Sequence, residues 1–412
     1  MNVKVIETGC CIAGGGPAGM MLGFLLARAG VDVVVLEKHA DFLRDFRGDT
    51  VHPSTLDVMG ELGLLDEFLT RPHQEVRELT GVISGTPVIV GDFTHLGARC
   101  PFIVLMPQWD FLNFLAEHGR RYPTFHVLMQ AQVADLIDEG GTIAGVRATT
   151  PDGPLEVRAR LVVGADGRHS TVRERAGFVV DDLGAPIDVL WLRLPRRPDD
   201  VGAALGRFDA GHILVMLDRG DYWQCAYVIA KGGFDDLKRQ GIETLRESIV
   251  TVAPMLRDRV AALRDWDDVR LLTVTIDRLR TWHRPGLLCI GDAAHAMSPI
   301  GGVGINLAIQ DAVATANLLA APLRAGTPAD ADLARVQRRR MLPIRLTQAM
   351  QVFVQNRVIR GVLGSTKPFS LPWPLRLLQR FPYLRRFPAR AVGIGFRPEH
   401  VHTPEDVTSA PV

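Results

Sequence analysis

Apolar residues run unbroken from Cys10 to Ala13, return from Met20 to Ala29 after a glycine cluster, and return again from Val31 to Leu36. A short, long, short rhythm of this kind predicts a buried strand, a helix and a second buried strand, as in a parallel sheet covered on both faces. Leu161 to Gly164 is another short apolar run; it ends in an Asp166-Gly167 turn, with Ser170 and a helix containing Val172 beyond it. Leu287 to Ile290 repeats the theme and is closed by Gly291-Asp292. Ser298 and Pro299 then break the chain, and Gly301, Gly302 and Gly304 permit close backbone approach. From Ile305 onward Ala308, Ala312, Ala316 and Leu319 are spaced as one packed helix face.

Between these runs the pattern changes period. Ser54 or Thr50 can cap a helix with Leu56, Met59, Leu62 and Leu65 as its apolar stripe, and Met106-Pro107-Gln108 opens another with Phe111, Leu112 and Leu115 on one face. Short alternating stretches such as Pro87 to Val90, and Val127 to Val157 with turns at Gly140-Gly141 and Asp152-Gly153, predict strands. The region from Val180 to Arg280 reads as strands at 189–194, 212–217, 222–229 and 269–276, with one helical stretch from Ile242 to Leu263. Alternation in the third strand puts Tyr222, Gln224 and Ala226 on one face and Trp223, Cys225 and Tyr227 on the other, and leaves open which face lines a pocket.

After Ala321 the chain is helical, proline-rich and basic, with fourteen Lys or Arg and no Asp or Glu between Arg335 and Arg397. Interleaved apolar residues such as Val352, Phe353, Leu375, Leu378, Phe381 and Leu384 fit an amphipathic cover on the first domain or a patch that makes weak contact with a membrane surface, and a plain helical cap with solvated arginines is the simpler reading. His402 to Val412 reads as a disordered tail.

At 412 residues the chain is long enough for two or three units with sizeable cores. Net charge near +1 argues against bulk nucleic-acid binding. Five scattered cysteines without a CxxC pair read as reduced core thiols, with no metal site and a cytoplasmic setting expected. The apolar run Met20 to Ala29 follows glycines and Pro17 and leads into a strand, so it is not read as an export signal. Asn306, Gln310, Asp311 and Asn317 interrupt the other long apolar stretch, Val303 to Leu323, so no membrane span is expected.

Gly14-Gly15-Gly16-Pro17-Ala18-Gly19 supplies GxGxxG between the first strand and its helix. Gly14 allows the tight turn, Gly16 lets backbone approach a pyrophosphate, Gly19 lets helix pack on strand, and Glu37 can accept from a ribose hydroxyl. Glu37 follows Gly14 by 23 residues, close to the ~20 such an acid needs. Ala18 and Lys38 complete this set of nucleotide-binding candidates.

The segments CIAGGGPAGM, VVGADGRHSTVR and GDAAHAMSPIGGVGINLAIQDA together resemble the FAD-dependent aromatic hydroxylases, the group A flavoprotein monooxygenases typified by para-hydroxybenzoate hydroxylase. The resemblance implies an α/β fold in which a Rossmann-like FAD-binding domain (1–75, 100–180 and 270–330) is interleaved with a β-sheet substrate domain (76–99 and 181–269). A helical C-terminal region (331–412) follows. It implies that Asp292 holds the flavin's ribityl chain and that Pro299 shapes the flavin pocket. It places backbone of Gly304, Ile305 and Asn306 against the isoalloxazine ring, Asp166 near the pyrophosphate, and Gln108 against the flavin. Arg47, sixteen residues ahead of Gly63, would cross over the FAD, with Arg44 as a weaker choice.

The implied chemistry is reduction of non-covalent FAD by NADH or NADPH, reaction with O2 at the flavin C4a carbon to a hydroperoxide, and hydroxyl transfer to an aromatic or other electron-rich ring; the partner expected is an aromatic or quinone-like small molecule. The glycines at 301, 302 and 304 lack a strand-helix-strand context, so no second dinucleotide domain is expected for the reductant. None of the six tryptophans stands in the WxWxIP motif of flavin halogenases. An FAD-dependent reductase of an isoprenoid or quinone-like substrate, another kind of oxygen insertion, and a non-catalytic flavin-binding protein at a membrane surface remain as alternatives. Catalysis is expected to rest on shape around Pro299, with Tyr222 as the accessory side chain. The contrary case gives a phenol-deprotonating role to Tyr222, Tyr227 or His212.

Overall fold

The computed structural model describes residues 3–43, 50–200, 206–365 and 370–406. Strand Lys4–Ala13 lies inside an eight-stranded sheet, parallel to Val33–Glu37 on one side and Gly153–Gly164 on the other. Phe125–Met129 and Leu287–Cys289 continue the parallel set outward. Residues 10–13, 33, 35 and 287–290 are all fully buried, which is why these segments are apolar without alternation. Gln132–Glu139 and Thr142–Thr150 form the expected hairpin, and Thr142–Thr150 pairs antiparallel with Gly153–Gly164.

Helices Pro17–Arg28 and Gly304–Ala325 pack on each other within the core of this unit. Ala308, Ala312, Ala316 and Leu319 are buried, as their spacing predicts. The stretch Ile300–Ala325 is long and apolar enough to cross a membrane, yet most of its apolar part is buried inside the protein, which makes it a core helix here.

The second sheet has seven strands, in the order Arg270–Leu272, Ile187–Pro195, Tyr222–Ala230, His212–Asp218, Gly206–Asp209, Glu78–Ile83 and Thr86–Asp92. Leu190, Leu192, Leu194, Trp223, Cys225 and Tyr227 point to one side and pack under helix Ile242–Val252. Val189, Trp191, Val215, Ala226 and Val228 point to the other and meet Ile300 of the glycine-rich loop.

Several expectations are corrected. The helix expected from 242 to 263 stops at Val252, because Pro254 forces Ala253 out of helical backbone (φ −136°, ψ 75°). Of the strand expected over 269–276 only Arg270–Leu272 forms; Asp277–Leu279 pairs with Val180–Asp182 in a separate ribbon. The basic C-terminal region covers the first domain, one of the readings open for it, and its arginines are not all solvated. Its Asp330–Val354 helix packs on Gly304–Ala325 and buries Arg340, whose Nε donates to Asp311 Oδ1 at 2.8 Å. Residues 402–406 are not a loose tail: Asn317 Oδ1 accepts from the His402 amide (2.8 Å), Arg28 Nη1 donates to Thr403 O (2.9 Å), and Tyr122 OH donates to Glu405 (2.8 Å). Residues 407–412 lie outside the described ones.

Candidate functional site

Parallel register brings three turns side by side. Ala13 lies opposite Gly164, and Gly164 opposite Cys289, so the turns that follow at Gly14, Asp166 and Asp292 leave the sheet at one edge. A Cβ on Gly14 would fall 2.4 Å from Ala165 O, and one on Gly19 would fall 1.9 Å from Gly14 O. The protein's own packing therefore requires these two glycines. A Cβ on Gly16 would meet no atom within 4 Å, and one on Gly304 nothing nearer than Met297 Cβ at 4.0 Å. The space these two leave is a cradle that a side chain would fill, and a nucleotide with its ring system fits that requirement.

No side chain caps helix Pro17–Arg28, whose first N–H groups and positive dipole end face this space. Glu37 closes the turn behind them: its Oε2 accepts from the Gly15 amide and its Oε1 from the His39 amide, each at 3.0 Å. Lys38 is exposed beside it, and Ala18 is buried at the helix start, 3.1 Å from where a Cβ on Gly291 would sit. Asp166 accepts from Ser170 Oγ and from the Val172 amide (3.1 Å), so it also caps the short helix Thr171–Arg175. Burial raises its carboxyl above the ordinary carboxylate range, against the lowering effect of those bonds. Asp292 is half-buried, with Arg168 Nη2 at 3.8 Å from its Oδ2. Gln108 is half-buried in the first turn of helix Gln108–Gly119. Arg44 and Arg47 lie outside the described residues.

The loop from 295 to 306 turns its polar side chains inward. Asn306 Oδ1 accepts from the His52 amide (2.9 Å) and Thr55 Oγ1 (2.7 Å), while its Nδ2 donates to Thr50 O and Gly302 O, both at 3.3 Å. Ser298 Oγ accepts from Gln355 Nε2 at 2.6 Å. His295 Nε2 meets Asp311 Oδ2 at 2.5 Å, and its ring lies against Trp282. Pro299, Gly304 and Ile305 are half-buried, so what the loop offers outward is apolar surface and main chain.

Opposite stands the inner face of the seven-stranded sheet, the question that alternation left open. Tyr222, Gln224 and Ala226 share the side turned toward Ile300, and the Arg193 guanidinium sits over the Tyr222 ring at 5.0 Å. Tyr227 and His212 bond each other at 2.7 Å on the helix-covered side, so neither serves as base at this cleft.

Sequence reasoning missed the loop's supports. Gln348 Nε2 donates to Asp277 O (2.7 Å) and Ala296 O (3.2 Å). Gln351 accepts from the Ser298 amide (3.1 Å) and donates to Ser298 O (2.9 Å) and Ile300 O (3.0 Å). Asp311 Oδ2 accepts from the Gly291 amide at 3.1 Å. The available signal was a polar stripe, Gln348, Gln351 and Gln355, at helical spacing in an otherwise mostly apolar stretch from Met341 to Ile359.

The FAD binding domain family matches residues 7–348. The 6-methylpretetramide 4-monooxygenase of Streptomyces rimosus is 34% identical over 381 residues, covering 92% of this chain and 90% of that protein. Among solved structures, PqsL of Pseudomonas aeruginosa in complex with 2-aminobenzoylacetate superposes with a TM-score of 0.72 at 25% identity, over 87% of this chain and 97% of that one. The p-nitrophenol 4-monooxygenase PnpA of Pseudomonas putida DLL-E4 superposes with a TM-score of 0.75 at 20% identity, over 94% and 97%, and shares the fold.

Proposed function

We propose that this chain, which belongs to the FAD-binding family of aromatic monooxygenases, hydroxylates an electron-rich, phenol-type ring held between loop 299–306 and the inner sheet face. It is an FAD-dependent monooxygenase of the family that takes its electrons from NAD(P)H. When bound, FAD supplies reduction by the nicotinamide cofactor and activation of O2. The chain supplies the rest. The uncapped helix at Ala18 and Gly19 would bind the pyrophosphate, Glu37 a ribose hydroxyl and Asp292 a ribityl hydroxyl. Asp166 and Gln108 would border the cofactor, and Pro299, Gly304, Ile305 and Asn306 would press main chain on its ring.

The observation that carries this reading is the pairing of two glycines with free space, Gly16 and Gly304, with a loop whose polar side chains are all engaged inward. Such a site orients and excludes water; it does not offer an acid or base from the loop itself. Names of relatives support the substrate class: 6-methylpretetramide, para-nitrophenol and protoasukamycin are each named as what a relative oxidises. Reductase and non-catalytic readings have no such support. Five free, buried cysteines support a reducing, cytoplasmic setting. The test is a screen of phenols, quinols and polyketide-type aromatics for stimulation of NADH and NADPH oxidation, with oxygen uptake and hydroxylated product measured together. Oxidation that no aromatic stimulates, in protein carrying releasable FAD, would sink the assignment.

A further inference from the structure

Helices Trp373–Arg380 and Arg386–Gly393 both lie on Thr86–Asp92, the outermost strand of the seven-stranded sheet. Gln379 clamps the first helix there: its Nε2 donates to Ile89 O (2.9 Å) and its Oε1 accepts from the Ile89 amide (3.4 Å). The second lies so close that a Cβ on Gly91 would be 3.3 Å from Ala389 N. This contact uses one side of each helix. Leu375 and Leu378 are half-buried on it, and Ala389 and Gly393 are buried.

The opposite side is left in water, and its composition is unusual. Trp373, Leu377 and Phe381 follow at four-residue spacing, and Tyr383 and Phe387 continue the patch; they are 72%, 40%, 40%, 59% and 55% exposed. Arg376, Arg380, Arg386 and Arg390 are exposed among them. The guanidinium of Arg380 lies 5.5 Å from the Phe381 ring, and that of Arg386 5.1 Å from the Phe387 ring. Single exposed apolar residues are ordinary, but five large ones within fifteen positions mark a contact surface.

Charge decides what it contacts. The whole chain is near neutral at +1, yet residues 335–397 hold fourteen cations and no acid. A second copy docking by two-fold symmetry would set these arginines against the same arginines, with no carboxylate in the segment to pair them. An anionic bilayer offers what the face lacks: phosphates for the arginines, and an interfacial layer where Trp, Leu and Phe leave water together. We propose that the outer face of 373–390 docks this enzyme on the surface of an anionic phospholipid membrane. The docked element also borders the catalytic loop, since Val392 O is 2.8 Å from His52 Nδ1 and the Val392 methyls lie 3.8 Å from where a Cβ on Gly301 would sit.

The experiment is sedimentation of FAD-loaded full-length protein with vesicles of phosphatidylcholine, with or without half phosphatidylglycerol, at 50 and 300 mM salt. Binding to the anionic vesicles that weakens with salt is expected, with little on the neutral ones. Each arginine near such a surface contributes about fivefold in affinity, so Arg376→Glu with Arg380→Glu should lower binding by at least about 25-fold. Trp373→Ser with Phe387→Ser should lower it as well, and both double variants should keep wild-type NAD(P)H oxidation without vesicles. The proposal is overturned by equal sedimentation with both lipids, or by variants that bind like wild type. It is also overturned by a dimer that dissociates when Trp373 and Phe387 are replaced, which would make the face a protein interface.

Discussion

The two glycine-rich turns assigned above to the cofactor, 14–19 and 301–306, are built by opposite means. The first is self-contained. Strand, turn, helix, strand and acid follow within the span from Cys10 to Glu37, and the Glu37 carboxylate returns to hold the Gly15 amide at 3.0 Å. The second is held from outside: Thr50, His52 and Thr55 grip it through Gly302 and Asn306, and Gln351 and Gln355 grip it through Ser298 and Ile300. A turn closed by its neighbours becomes a motif. A turn closed by residues up to 256 positions away keeps only glycine, proline and asparagine in its own wording.

The sharpest break of this comparison is Gly304→Val. A Cβ there meets nothing nearer than Met297 at 4.0 Å, so the backbone leaves room for a side chain and the fold should survive. The flavin ring's place should not. We expect substrate-stimulated NAD(P)H oxidation to be abolished in a variant with unchanged thermal unfolding. Gly14→Val should behave oppositely and fail to fold, because its Cβ would sit 2.4 Å from a backbone oxygen. Full coupled turnover in Gly304→Val would remove the loop from the flavin.

This contrast also explains what the sequence disclosed. The parallel core, the first turn and the helix after Gly304 were legible because burial on both faces and helical spacing are local properties of the residues that show them. The sheet strands 212–218 and 222–230 were legible for the same reason, but not which face met the cleft, since alternation is symmetric until a helix such as Ile242–Val252 covers one side. Asp311, His52 and the glutamines at 348, 351 and 355 were not read as site residues, because their roles depend on tertiary contacts between distant segments. The ordered chain at 402–406 was missed likewise: Arg28, Tyr122 and Asn317 hold it, and none is near it in sequence.

A second prediction tests the outside supports through pH. His52 is fully buried, its Nδ1 lies 2.8 Å from Val392 O, and burial lowers its imidazole to about 4, against a smaller raising effect of that bond. The unfolded chain takes up the proton near 6.5, so the native state loses stability as pH falls from about 6.5 towards 4. The loss attributable to this one group should approach about 3 kcal/mol. Urea unfolding at pH 7 and pH 4 should show that difference in wild type and lack it in His52→Gln. Equal acid sensitivity in both would mean that other groups dominate.

A third compares the turns by a single acid. Asp292 is half-buried and faces Arg168 across 3.8 Å, a contact too long and too wet to use the carboxylate fully. If it accepts from a ribityl hydroxyl, Asp292→Ala should cost ~1.5–3 kcal/mol of FAD binding, the range for a hydrogen bond to a charged group. Fluorescence titration of the apoprotein with FAD should then give an affinity about ten- to a hundredfold weaker. Unchanged affinity in the folded variant would place the acid outside the cofactor's reach.

The smallest effect is expected at Tyr222, the one residue of the sheet face with a titratable hydroxyl turned to the cleft side. Its ring is already occupied by Arg193 at 5.0 Å, and it lies four residues along the strand from Ala226, which packs in the cluster that contains Ile300. Four residues of strand are roughly 13 Å, so the hydroxyl stands towards the end of the cleft rather than over the glycine loop. A general base typically contributes about 10²–10⁴-fold, and that much would be lost if Tyr222 took the proton from a phenol. A hydroxyl that only orients substrate contributes about tenfold, one hydrogen bond's worth. Tyr222→Phe should therefore slow substrate-stimulated oxidation by about tenfold or less, with the ratio of product to oxygen consumed nearly kept and the pH profile unshifted. A loss beyond a hundredfold, with the alkaline or acid limb of that profile displaced, would move the chemistry from the loop to the sheet and reverse the order of importance argued for the two.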